Sequence, residues 1–134
     1  MRKTYSRHVS QSEPGVIVVA DDDPDILDLV ALTLERSGHV VHRALDGEEA
    51  LELIERERPD LVVLDISMPK LDGLELTRRL CGDPETKAIR IVLLTALVQD
   101  TDISEGLAAG ADAYVRKPFS PQELQERVAT LLPR

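Results

Sequence analysis

Four aspartates, a threonine and a lysine are the residues best able to do chemistry together. Asp21, Asp22 and Asp23 follow the aliphatic run VIVVA, Asp65 follows LVVL, Thr95 follows IVLL, and Lys117 follows AYVR. Carboxylates crowded into a partly dehydrated pocket repel one another, and a hard divalent cation relieves that repulsion. A small octahedral ion such as Mg²⁺ takes one or two carboxylates and fills its remaining positions with waters and phosphate oxygens. A hydroxyl and an ammonium at the same place would serve a phosphoryl group, as a short donor and a point charge for its oxygens. Each residue alone has an ordinary explanation: a satisfied strand-end hydroxyl, an exposed lysine before proline, a carboxylate capping the next helix. Asp23 is expected to be such a cap. Three acids in a row are more than a cap needs, so the chemistry depends on whether the chain brings these strand ends to one rim.

The apolar pattern says that it does. Short aliphatic runs at Val16–Ala20, 40–41 with its neighbours, 61–64, 91–94 and 113–115 alternate with amphipathic stretches. Three of these runs are apolar without alternation, as strands buried on both faces of a parallel sheet are. Helical patterns cover 24–37 with Gly38 as a stop, about 47–58 before Pro59, about 73–81, and about 101–109 closed by Gly110. The last helix opens with Ser120-Pro121-Gln122-Glu123, an N-cap serine, a proline at the first helical position and a glutamate for a capping box. Its Leu124, Val128, Leu131 and Leu132 fall on one face. Strands that are each followed by a helix make a parallel α/β sheet wrapped on both sides by right-handed crossovers. In such a sheet the ligand site lies outside the carboxyl ends of the strands, which is where the six residues fall.

Composition removes several classes of function. A chain of 134 residues fits one domain. The single cysteine, Cys81, cannot form an internal disulfide, which excludes a disulfide-built scaffold and points to a reducing cytoplasm. A formal charge of -9 argues against a surface that tracks nucleic-acid phosphates or anionic lipid. Aromatics make up 2% of the chain, Tyr5, Tyr114 and Phe119, so base-stacking platforms are nearly excluded. No apolar run approaches the roughly 18 residues of a membrane span, and no secretory signal is present. Residues 1–15 are polar, carry Arg2, Lys3 and Arg7 against Glu13, and end in Pro14-Gly15, which reads as a loose tail before the fold begins at Val16.

The segments VVADDDPDIL, LVVLDISMPKLDG, IVLLTA and GADAYVRKPF, in that order and spacing, resemble the receiver domain of bacterial two-component response regulators. The resemblance covers residues 16–132 and implies a (βα)5 flavodoxin-like three-layer sandwich with strand order 2-1-3-4-5 and no output domain in this chain. It implies that Asp65 is the phospho-acceptor. Asp22 would bind Mg²⁺ directly, Asp21 mainly through water, and Ser67 through its backbone carbonyl. Thr95 and Lys117 match the residues that contact the phosphoryl group, Tyr114 matches the aromatic that turns inward on activation, and Lys117-Pro118 is expected to be cis. Ser67 and Leu97 occupy the two positions that tune hydrolysis; leucine has no group to orient a water, which implies slow self-dephosphorylation. The implied partners are a sensor histidine kinase or a histidine phosphotransfer protein, and a downstream protein that meets the fourth helix, fifth strand and fifth helix. The implied state is a monomer or a phosphorylation-promoted homodimer. The fourth helix, around Ile103 and Leu107, carries Gly106 inside it at a cost of about 1 kcal/mol relative to alanine, and is expected to be the loosest.

Two other readings compete. A Mg²⁺-dependent phosphohydrolase working through a phospho-aspartate would usually place a second aspartate two residues on as general acid, where this chain has Ser67. The receiver portion of a DNA-binding transcriptional regulator would be followed by a helix-turn-helix, and the sequence stops at Pro133-Arg134. Other features read as structural. His39 and His42 are expected on opposite faces of a strand, both exposed and unable to pair on a metal. Arg78-Arg79 and Glu48-Glu49 read as solvated helix faces. Met68-Pro69, Asp72 and Gly73 form a turn in which Gly73 is expected to take a positive φ, and Cys81 is expected in the core at a helix end.

Overall fold

The computed structural model describes residues 14–96 and 100–132, with the backbone alone described for 100–103; residues 1–13 and Leu97 lie outside the described residues. Strands and helices alternate along the chain: β1 (Val16–Ala20), α1 (Pro24–Arg36), β2 (Val40–Ala44), α2 (Gly47–Glu57), β3 (Leu61–Asp65), α3 (Gly73–Gly82), β4 (Arg90–Thr95), α4 (Asp100–Ala109), β5 (Ala113–Arg116) and α5 (Pro121–Leu131). The strands pair in parallel in the order β2-β1-β3-β4-β5, the expected order.

Alternation along each strand sends its side chains into two separate aliphatic cores. On one face Ile17, Val19, Leu61, Val63, Val92, Leu94 and Val115 pack against α1 and α5. On the other, Val18, Val62, Leu64, Ile91 and Leu93 pack under Ala50, Leu53 and Ile54 of α2 and Leu76 and Leu80 of α3. Gly106 of α4 lies against Leu93 on this second face, where a Cβ would come 2.8 Å from the leucine Cδ1. Strand β3 is buried at every residue, which explains its unbroken apolar run. Strand β2 is at the sheet edge and only its last residue is buried, so its apolar signal stops at Val41 while the strand continues through His42 and Arg43.

The helix ends follow from side-chain capping. Asp23 accepts hydrogen bonds from the N–H groups of Asp25 and Ile26 and starts α1. Asp46, Asp72 and Ser120 do the same for α2, α3 and α5. Gly38 (φ 98) and Gly110 (φ 118) close α1 and α4 in the left-handed region, and Arg58 (φ 51) does so for α2 before Pro59.

Two expectations are corrected. Gly73 is not among the residues of positive φ; the left-handed position in that loop is Lys70, at φ 72. Glycine is needed at 73 because a Cβ there would lie 2.4 Å from the carbonyl oxygen of Asp65. Nor are the histidines exposed. His39 precedes β2, is half-buried and accepts the Gly15 N–H on Nδ1 at 3.0 Å, while half-buried His42 lies 3.5 Å from Glu57.

Candidate functional site

Register brings the strand ends together. Ala20 pairs with Leu64, so Asp21 and Asp65 leave β1 and β3 side by side. Asp65 in turn pairs with Leu94, and Thr95 with Arg116, which carries Thr95 and Lys117 to the same rim. Backbone bonds continue past the strands and hold the rim in place: Asp21 N–H to Ala44 C=O at 3.2 Å, Ile66 N–H to Leu94 C=O at 3.1 Å, and Lys117 N–H to Thr95 C=O at 2.8 Å. The Lys117-Pro118 peptide is cis.

The acids are unusually enclosed. Asp21 is 0% and Asp65 5% exposed, although Asp22 faces solvent. Asp21 accepts the Asp23 N–H on Oδ1 at 2.9 Å. Its Oδ2 lies 2.9 Å from Lys117 Nζ, an ion-pair contact, yet that buried atom has no hydrogen bond of acceptable geometry. Asp65 Oδ1 stands 3.4 Å from the same ammonium and accepts the Ser67 N–H at 3.4 Å, a long bond. One Lys117 side chain thus faces a cluster of three carboxylates.

That imbalance shifts the titration of both partners. Burial, and then the charge of Asp21, pushes the Asp65 carboxyl up to about 6, against the opposing pull of Lys117 and the Ser67 N–H. For Lys117, burial pulls downward, but the close approach of Asp21 and the charge of Asp65 outweigh it and hold the ammonium above its usual value.

The residues fit a hard divalent cation. Asp21, Asp22 and Asp65 offer carboxylate oxygens that all lie within 4.8 Å of one another, and Asp21 Oδ2 is a buried acceptor without a hydrogen bond. An all-oxygen donor set suits Mg²⁺. Ser67 is exposed next to Asp65.

Thr95 and Tyr114 share the floor of a crevice that also involves Ile66, Leu93, Gly106, Leu107 and Ala111. Its free space is about 10 Å³, room for about one water. Thr95 is 1% exposed and Tyr114 half-buried. Cys81 is half-buried at the end of α3, with Sγ 3.6 Å from the Gly110 carbonyl; burial raises its thiol, which reduces its reactivity.

Residues 17–129 match the response regulator receiver domain. The chain belongs to this family. As a receiver it is a signalling module of two-component systems, and receivers of response regulators interact with histidine kinases. It is 47% identical over 118 residues to the alkaline phosphatase synthesis transcriptional regulatory protein PhoP of Bacillus subtilis, an alignment covering 88% of this chain and 48% of PhoP. The chain thus spans about half the length of the curated relatives it matches. Among solved structures, a putative response regulator of Chloroflexus aurantiacus superimposes with a TM-score of 0.84 at 38% identity, covering 89% of this chain and 98% of that one. The chemotaxis response regulator CheY4 of Vibrio cholerae gives 0.84 at 30% identity, covering 90% and 100%. Among the described residues, no helix of this receiver is long and apolar enough to cross a membrane.

Sequence reasoning did not single out Asp46, Gly47 or Lys70, which tie the loop after Asp65 to α2. The signal for the first was present: Asp46 followed three residues later by Glu49 is the spacing of a capping box, and Asp46 accepts the Glu49 N–H at 2.8 Å, although Glu49 reaches back one residue further, to the Leu45 N–H at 2.7 Å.

Proposed function

We propose that this receiver accepts a phosphoryl group on Asp65 from a phosphohistidine of a sensor kinase or a histidine phosphotransfer protein, with Mg²⁺ bound beside it. The observation that carries the reading is the placement of Asp65 at a strand end, with Lys117 Nζ 3.4 Å away and two further acids in reach of one cation. An Asp65 oxygen attacks phosphorus, a P–O bond forms as the P–N bond breaks, and the electron pair leaves with the imidazole. Asp21, Asp22 and Asp65, with the Ser67 carbonyl, are the residues that would hold Mg²⁺. Bound there, the ion would neutralise charge on the transferring oxygens. Lys117 contributes a fixed positive charge to the same oxygens, and Thr95 a short donor.

Phosphorylation then biases a two-state surface. The new oxygens attract Thr95 and Lys117, and Tyr114 takes the space that Thr95 leaves at the crevice. The readout is the face of α4, β5 and α5, offered to a downstream protein. Ser67, where a phosphohydrolase would place an acid, favours a module that turns over only its own phosphoryl group. The length of the curated relatives, about twice the matched segment, favours a transcriptional output in the protein from which such a receiver comes.

Intact-mass spectrometry after incubation with acetyl phosphate and Mg²⁺ tests the reading. A phosphoryl adduct on the native chain, absent from Asp65→Asn, is the expected result; an adduct on both variants would reject Asp65 as the acceptor.

A further inference from the structure

We infer that Gly47 is a positioning residue for the metal and phosphoryl site, acting through the loop that joins β3 to α3. The inference rests on the reading of Asp65 and Ser67 given above. Residues 66–72 carry Ser67 and are pressed against the first turn of α2. A Cβ on Gly47 would lie 1.8 Å from the Leu71 carbonyl oxygen and 2.7 Å from its carbon. The obstruction is backbone, so no side-chain rotation relieves it, and the Leu71 peptide must move by about an ångström to restore ordinary contact.

The loop has little freedom to absorb that movement. Leu71 N–H is bonded to the Pro69 carbonyl at 2.7 Å, Lys70 sits in the left-handed region, and the side chains of Met68 and Leu71 are buried in the core. Gly73, at the other end, donates its N–H to Ile66 C=O at 2.9 Å and is pressed on the Asp65 carbonyl. Displacement at Leu71 is therefore passed back along the loop toward Ser67, whose N–H reaches Asp65 Oδ1. A second tie joins the same segments, since Lys70 Nζ lies 3.6 Å from Asp46, the cap of α2.

Gly47 is not among the residues of positive φ, so backbone freedom does not require glycine there. Helix propensity at the first position of α2 favours other residues. The close approach of Leu71 is what demands the absence of a side chain.

The test is isothermal titration of the full chain with MgCl₂, alongside urea unfolding in EDTA, for the native protein, Gly47→Ala and Gly38→Ala. Gly38 is at φ 98 at the opposite end of the sheet with no atom near its side-chain position, so its replacement weakens the fold without touching the loop. Gly47→Ala is expected to raise the Mg²⁺ Kd by roughly tenfold, while Gly38→Ala loses stability and keeps its Kd within about twofold. An unchanged Kd in Gly47→Ala, or equal weakening in both variants, overturns the inference and leaves the metal reading standing. If Gly47→Ala does not fold in buffer, the titration is repeated in sucrose, which favours the compact state by exclusion from the protein surface; an unchanged Kd in the folded variant overturns the inference there too. No binding by the native chain would overturn the metal reading itself, and the inference with it.

Discussion

Replacing Asp65 with asparagine is expected to stabilise the metal-free receiver at neutral pH. Burial and the charge of Asp21 push the Asp65 carboxyl from 3.8 to about 6. A carboxyl whose pKa is higher folded than unfolded supports the fold fully below about pH 4, and that support is lost as the pH rises through about 6. A shift of roughly two units corresponds to about 3 kcal/mol at 1.36 kcal/mol per unit. Water at the open rim screens part of this, leaving about 1–2 kcal/mol. Asparagine keeps the shape and cannot ionise, while Lys117 retains Asp21 as a partner at 2.9 Å. Asp65→Asn should therefore be the more stable protein above about pH 7, with a gap that closes between about pH 6 and pH 4. With no tryptophan in the chain, urea unfolding in EDTA is best followed by circular dichroism. At a slope of about 1–3 kcal/mol per molar urea the midpoint should rise by roughly 0.3–2 M. Added Mg²⁺ should stabilise the native chain more than the variant. A gap that is the same in acid as at neutral pH, or a native protein that is the more stable at neutral pH, would show that the buried Asp65 carboxylate does not weaken the fold.

Three further outcomes follow from the site and the fold. Lys117→Met leaves the buried Asp21 carboxylate without its cation; a broken buried pair costs about 3–5 kcal/mol, and the partly open rim brings this to about 2, which urea unfolding at neutral pH would show and Mg²⁺ would partly restore. Hydrogen exchange should find α4 less protected than α5, because its last-turn residues, Leu107 among them, are largely exposed and α5 buries Leu124 and Val128; equal protection would contradict this. Leu97→Glu is expected to shorten the lifetime of the acyl phosphate by supplying a carboxylate that orients water, and an unchanged or longer lifetime in a quench time course would count against it.

The parallel strands and the rim were legible in the residue pattern for a specific reason, whereas the strand order came only with the family resemblance. Central strands buried on both faces leave unbroken aliphatic runs, and each run ends on the residue that reaches the rim: Asp21 after Ala20, Asp65 after Leu64, Lys117 after Arg116. Capping was legible wherever a short polar side chain preceded a helical pattern, as at Asp23 and Ser120. What sequence could not convey were contacts between backbones. A glycine that admits a carbonyl, as Gly47 admits that of Leu71 and Gly73 that of Asp65, looks the same in sequence as one that adopts a positive φ. Lys70 shows the converse, a left-handed residue with no glycine to announce it. Edge strand β2 was foreshortened because only one side of it meets another strand, so periodicity there is weak. The partners of His39 and His42 depended on long-range packing of the amino end of β1 and the end of α2, which local pattern does not encode.

Chemical trapping shows whether Asp65 carries the phosphoryl group. An acyl phosphate is reduced by borohydride to the alcohol, so peptide mapping of the chain after acetyl phosphate, Mg²⁺ and borohydride should find homoserine at position 65 and nowhere else. Aspartate surviving at 65 with homoserine at Asp21 or Asp22, or a phosphoryl adduct that borohydride leaves intact, would contradict it.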